Sequence, residues 1–430
     1  MKSFFRRPLL AALFIAAVTS ITVIQLEPLY AQYGAAPAGK AAAKAKAGKQ
    51  DSSTTARREV GTPINDALKL VEAKDFEGAF AKVQLADQVK DKTPYEEFMV
   101  AKYLAYIAVN KMPQDIPTAT TAVNRQIASN GAPEPERANM YSMGMLLNYA
   151  AMDYAKVIQS GEELQKLGTA LEGNQAVVLA QAYYSTMDYM NAAKVAKAGA
   201  DRPGADSKGK ADMLGLLLNS QAKLMDDAGY RVTLDQLATV SAQPEVWGQV
   251  MDFALNEVTK ANPLNEHHLL NLYRLAMVVG TMREPDYPAM ATIDLANGLP
   301  NEAKEALTKG GRTTGALMDD TSKMLGNDQG SLAGLAAEAG KQTNGEIDVK
   351  LGESYLTYGR HDEAVTALRK GIEKGMLKDL PDAQTTLGIA LYRAGRKDEA
   401  LAEFRKAEMA GSTAKPVAHT WVLFLQRPAA

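Results

Sequence analysis

Along most of this chain apolar residues recur every three or four positions, broken by short polar turns. The pattern is clearest from Asp348 to Ala410. Leu351, Ser354, Tyr355 and Tyr358 follow helical spacing until Gly359 interrupts them. Asp362 and Glu363 then open a second segment, where acids favour a helix N-terminus. Ala364, Leu368 and Ile372 form its apolar stripe. The whole arrangement returns 36 residues later as Leu387, Ala390, Leu391 and Ala394, then Gly395, then Ala400, Phe404 and Ala407. Small residues at Gly352, Gly388, Ala364 and Ala400 let paired backbones approach closely. Such a hairpin cannot bury its stripe alone, so neighbouring hairpins must stack on it. The expected fold is all-α, with antiparallel helical hairpins stacked as a solenoid.

Weaker copies precede this pair. Ala67, Leu68 and Val71 predict one helix, Lys74-Asp75-Phe76 a turn, and Ala79, Val83 and Ala86 the returning helix. A longer helix is expected from Pro94 to before Pro113, with a partner over 117–127. Two Met-Asp-Tyr turns, Met152-Asp153-Tyr154 and Met187-Asp188-Tyr189, lie 35 residues apart. Each tyrosine is expected to wedge between the two helices of its hairpin. Trp247 reads as a packing residue, and Pro263 as the opening of another first helix. From Gly310 to Gly345 the pattern fades into Gly, Ser, Thr and Asp, with two short helices expected around 316–325 and 331–339. The tail from His419 to Leu425 is apolar. It is expected to fold back over the last repeat as a short strand or extended segment, or else to form a docking patch.

The repeated residues resemble the tetratricopeptide repeat family. Leu351-Gly352 with Tyr355, and Leu387-Gly388 with Leu391, fit that family's first helix. Ala364 and Ala400, then Leu368 and Phe404, fit its second. The sequence departs from the family pattern at Asp348 and Gln384, where an aromatic residue is common, and its period exceeds the family's usual length by two. The resemblance implies a groove lined by first-helix residues. Here the candidates are Lys350, Glu353, Thr357, Gln384 and Thr385, facing a protein or peptide partner.

The N-terminus changes the picture of location. Lys2, Arg6 and Arg7 precede an apolar run over 9–24, and Leu29-Tyr30-Ala31 follows. This resembles a secretory signal peptide cut after Ala31, which predicts export to the periplasm. The other reading is an uncleaved inner-membrane anchor. Residues 32–60, rich in Ala, Gly and Lys, lack bulk for a core and read as a flexible tether. The remaining boundaries are a degenerate array over 61–309, a hinge over 310–345, two clear repeats over 346–411 and the tail over 412–430.

Composition adds exclusions. A formal net charge of -2 gives no general attraction to nucleic acid. With no cysteine, the chain has no disulfide, thiolate nucleophile or thiolate metal site. His267, His268, His361 and His419 show no metal-ligand spacing, and no carboxylates sit in a ladder beside them. No phosphate loop or nucleophile elbow is present. The expected role is therefore a non-enzymatic interaction scaffold or adaptor of the bacterial envelope, without cofactor or metal. Two alternatives stand beside it: a structural subunit of an envelope assembly or export complex, and an enzyme or glycan-binding module within 310–345.

Overall fold

A computed structural model describes residues 54–261, 265–411 and 413–427 of the protein. The expected export segment, the tether up to residue 53, and Pro263 lie outside the described residues. Among those described, the chain is all-α, with no strand, and sequence-adjacent helices pack in pairs as in a helical-repeat array. No described helix is long and apolar enough to cross a membrane. The helices fall into two compact units, the first ending at Tyr230 and the second beginning at Arg231.

The first unit begins with α1 (Arg58–Glu72) and α2 (Phe76–Asp87), followed by α3 (Pro94–Asn110) and α4 (Ile116–Ser129). Helix α1 starts five residues before Pro63, inside the stretch read as tether. The reason is a long-range anchor: the Arg57 backbone N–H and guanidinium both donate to Glu96 at the head of α3. Next come α5 (Glu134–Ala150), α6 (Tyr154–Lys166), α7 (Gly173–Ser185), α8 (Tyr189–Ala200) and α9 (Ser207–Leu224). Helix α10 (Asp227–Ala238) spans the boundary between the units. The hairpins α1–α2, α3–α4, α5–α6 and α7–α8 pack internally, and the first helices stack as α1 on α3, α5 on α7 and α7 on α9.

The turns follow one design. In α5–α6 and α7–α8, Met152 and Met187 sit at φ 59° and 66°. Asp153 and Asp188 then cap the following helix by accepting from the N–H groups of Lys156 and Asn191. Tyr154 and Tyr189 pack edge-on against Tyr149 and Tyr184 of the preceding helix, with centroids 6.1 and 5.3 Å apart. Lys74 and Met225 take the same left-handed conformation in their turns, whereas the second unit places Gly298, Gly359 and Gly395 there. A side chain at such a φ costs about 1–2 kcal/mol, partly offset by the freedom glycine loses on folding. Met187→Gly should therefore raise stability by about 0.5–1 kcal/mol, read from the urea midpoint followed by circular dichroism. An unchanged or lower midpoint would show that the turn carries no strain.

The second unit contains α11 (Pro244–Thr259), α12 (Glu266–Val279), α13 (Asp286–Ala296), α14 (Pro300–Lys309) and α15 (Ala316–Lys341). It continues with α16 (Glu346–Thr357), α17 (His361–Lys374), α18 (Leu380–Arg393), α19 (Lys397–Met409) and α20 (Lys415–Gln426). The close approach expected of α16–α17 and α18–α19 is present. A Cβ on Gly352 would lie 2.5 Å from Leu368, and one on Gly388 2.6 Å from the Phe404 ring.

Two expectations are corrected. Residues 316–341 form one 26-residue helix, not two short ones. Its ends are held by different neighbours: Leu317 and Met318 pack with α13 and α14, and Leu335, Ala336 and Ala339 with α16 and α17. Gly326, Gly330 and Gly334 between them face open space and interrupt no packing. The apolar tail is helical, not extended, and is no exposed docking patch. Helix α20 packs on α19 and α18, and also on α11 and α12, so that apolar residues on several of its sides are covered. The second unit thus joins its last helix to its first two. Trp421 is fully buried, stacked on Phe404 at 5.2 Å, with its indole N–H donating to the Asn271 carbonyl. Phe424 meets Trp247 edge-on at 6.0 Å, which bears out the packing role read for that tryptophan.

Candidate functional site

Charged side chains collect where the two ends of the second unit meet. Helix α12 is apolar on most positions, yet His267, His268, Asn271 and Arg274 recur along it at helical spacing. That polar stripe lies against the first helices of the later hairpins. His267 Nε2 bonds Asn297 Oδ1 at 2.7 Å, and its Nδ1 faces Glu353 of α16 at 3.4 Å and Asp382 of α18 at 3.5 Å. His268 Nε2 lies 3.1 Å from Asp379, the N-cap of α18. Asn271 donates to Asp382 and to the Thr386 hydroxyl. Arg274 donates from Nε and Nη2 to Glu302 of α14, at 2.9 and 2.6 Å, and from Nη1 to Asn271. The same guanidinium lies 3.6 Å from Glu353.

Burial makes these contacts matter energetically. Arg274, His268 and Glu353 are all buried. Burial alone would lower the Arg274 pKa, but Glu302 and Glu353 outweigh it and hold the guanidinium charged. Burial alone would raise Glu353, but His267 and Arg274 hold its pKa below the usual value. Asp294 is fully buried and forms no ion pair among the described residues. Burial, then the neighbouring Glu302, push its pKa far upward, so it keeps its proton. Asp382 is pushed up to about 6, chiefly by burial.

His267 is raised to about 9, with Glu353 as the main cause. A base held protonated by the fold contributes most below its unfolded pKa near 6.5, and the contribution disappears as pH rises through about 9. Asp382 acts in the same direction at lower pH, between its unfolded value and about 6. Stability of the second unit should fall by about 2 kcal/mol between pH 6.5 and 9.5, allowing for partial exposure of His267. Urea midpoints across that range measure it, and His267→Gln should flatten the profile. A wild-type profile already flat would remove the charged histidine from the cluster.

A similar clamp holds the tail. His419 Nδ1 meets Glu408 at 2.7 Å and its Nε2 meets Asp235 at 3.0 Å, which raises its pKa, Asp235 being the main cause. Three of the four histidines therefore face carboxylates supplied from elsewhere in the chain. This corrects the reading that carboxylates do not surround them: Asp379 is 111 residues from His268, and Asp235 is 184 from His419.

The residues expected to line a partner groove divide. Lys350 is exposed, and Thr357 and Gln384 are half-buried. Glu353 and Thr385 are buried and present nothing to a surface partner. Glu353 pairs within the cluster, and the Thr385 hydroxyl donates to the Pro381 carbonyl. The inner face expected to receive a partner holds the protein's own α12. The residues missed by sequence were Arg274, Asp294, Glu302, Asp379 and Asp382. One signal was available: Arg274 interrupts the apolar run Leu272-Tyr273…Leu275-Ala276, a position suited to a charge only if a buried partner answers it.

Among the described residues, no group of three or more His, Asp or Glu has the geometry to hold a metal ion. The cluster's acids and bases are turned upon each other, an arrangement that fastens helices together.

The first unit carries a more open feature. A groove of about 830 Å³ runs between α6, α7, α8 and α9. Leu171, Val195 and Met213 supply apolar lining, and Lys194, Asp201 and Arg202 supply charge. Its wall is built on first helices buried over 178–183 and 213–220.

No protein-family profile matches the chain, and no curated protein matches it.

Proposed function

We propose that the protein is a non-enzymatic interaction scaffold, exported to the bacterial periplasm, that binds a protein or peptide partner through its first unit. The observation carrying this reading is a contrast between the units. The inner face of the second is filled by α12, while the first keeps an open groove with an apolar lining and a charged rim. Such a lining suits a peptide that inserts one or two apolar side chains and is oriented by Lys194, Arg202 and Asp201. Resemblance of the 348–410 pair to tetratricopeptide repeats supports the scaffold role.

The test places a photo-reactive residue at Ala198, on the groove wall. Cross-linking in intact cells should give one discrete adduct in the periplasmic fraction. Filling the groove with Ala170→Trp should reduce that adduct at least tenfold while circular dichroism is unchanged. An adduct insensitive to Ala170→Trp would move the binding surface elsewhere. Recovery of the chain only from the cytoplasm would end the export reading.

A further inference from the structure

The first unit spends strain on methionine where glycine would be relaxed. Consecutive hairpins place Met112, Met152, Met187 and Met225 in the turns after α3, α5, α7 and α9. Their exposures are 83%, 69%, 75% and 78%. Because α5, α7 and α9 stack on one another, the last three of these turns follow one edge of the unit. Met190, the second residue of α8, is also exposed. Met152, Met187 and Met225 hold left-handed φ values of 57° to 66°, a conformation in which a bulky residue needs a reason. Packing is not that reason, since these side chains project into solvent. In the second unit, Gly298, Gly359 and Gly395 make the corresponding turns without strain.

What an exposed methionine offers that glycine does not is a thioether. The chain has 19 methionines and no cysteine, so methionine is its only sulfur. The inward methionines are a separate population: Met140, Met143, Met145, Met213, Met251 and Met290 are buried. We propose that the methionine turns of the first unit are a reversible oxidation site, taking an oxygen atom from two-electron oxidants of the hypochlorous acid class while the core methionines stay reduced and the fold persists.

The step balances without any cofactor. The sulfur lone pair attacks the oxygen of hypochlorous acid, an S–O bond forms and the O–Cl bond breaks. Chlorine leaves as chloride after gaining two electrons, the hydroxyl proton passes to water, and the sulfur is left oxidised by two electrons as a sulfoxide. A methionine sulfoxide reductase restores it: two thiols of that enzyme supply two electrons and two protons and become a disulfide, and the oxygen leaves as water. The fold survives because the added oxygen points into solvent, whereas the same change at Met143 or Met290 would place a polar group in the core.

The experiment titrates the full chain with up to five equivalents of hypochlorous acid and maps sulfoxides by peptide mass spectrometry. Met152, Met187 and Met225 should oxidise at least tenfold faster than Met143, Met145 and Met290, with far-ultraviolet circular dichroism unchanged. They should also match or exceed Met409, an exposed methionine at the end of α19 in the second unit. A triple variant, Met152→Gly with Met187→Gly and Met225→Gly, should fold and consume less oxidant before its core methionines react. Parallel oxidation of edge and core, loss of helicity on edge oxidation, or earlier reaction at Met409 would each overturn the proposal. So would a triple variant whose core is protected as well as that of the parent chain.

Discussion

Replacing Arg274 by methionine should destabilise the second unit by about 3–5 kcal/mol. The guanidinium is buried, bonded twice to Glu302 and 3.6 Å from Glu353. Methionine keeps much of the volume but leaves the half-buried Glu302 without its cation and the buried Glu353 with His267 alone. Desolvation then acts unopposed on Glu302 and is met at Glu353 by His267 only, and that penalty exceeds the value of the ion pair itself. The double variant Arg274→Met with Glu302→Leu should recover part of the loss, because it removes the orphaned charge as well. Intrinsic fluorescence is a selective probe: both tryptophans of the chain, Trp247 and Trp421, are fully buried within the second unit. A cost below about 1 kcal/mol would mean that the cluster is solvated and does not fasten α12 to its neighbours.

Truncating Trp421 to alanine should cost a similar 3–5 kcal/mol, for a different reason. Its ring stacks on Phe404 and meets Tyr392 and Phe424. Tyr392 and Phe424 hold each other, and Phe424 is held by Trp247 as well, which limits how far they can close the space. The indole also donates to the Asn271 carbonyl, joining α20 to α12. Trp421→Phe should recover most of the loss, leaving about 1 kcal/mol for the missing hydrogen bond. Fluorescence of the remaining Trp247, whose ring touches Phe424, would show whether α20 stays docked. An alanine variant with an unshifted urea midpoint would show that the last helix does not hold the ends of the unit together.

These two residues show where local sequence stops being informative. The hairpins were legible because their determinants are local. Leu351 to Tyr358, the Gly359 turn and the stripe from Ala364 lie within one period, and 3.6-residue spacing reveals them directly. The capping aspartates of the Met-Asp-Tyr turns are equally local, each accepting from an N–H three residues ahead. The pairing of His268 with Asp379 is not. It depends on α12 crossing to α18 after the intervening hairpins have stacked, and nothing near either residue encodes it. The tail misled for a related reason. An apolar segment such as 419–425 is compatible with strand or helix, and contacts with α11, α12 and α19 decide between them.

Read by itself, the chain determined its class, its pairing of neighbouring helices and the position of most turns, because these follow from backbone geometry and the period of apolar residues. The tertiary structure decided that the second unit closes on itself, that Glu353 is a buried counter-ion and not a groove residue, and that methionines share an edge of the first. Those outcomes depend on which surfaces meet after the hairpins have stacked. Burial then fixes the charge of each group through desolvation and its neighbours, and both are properties of the assembled packing.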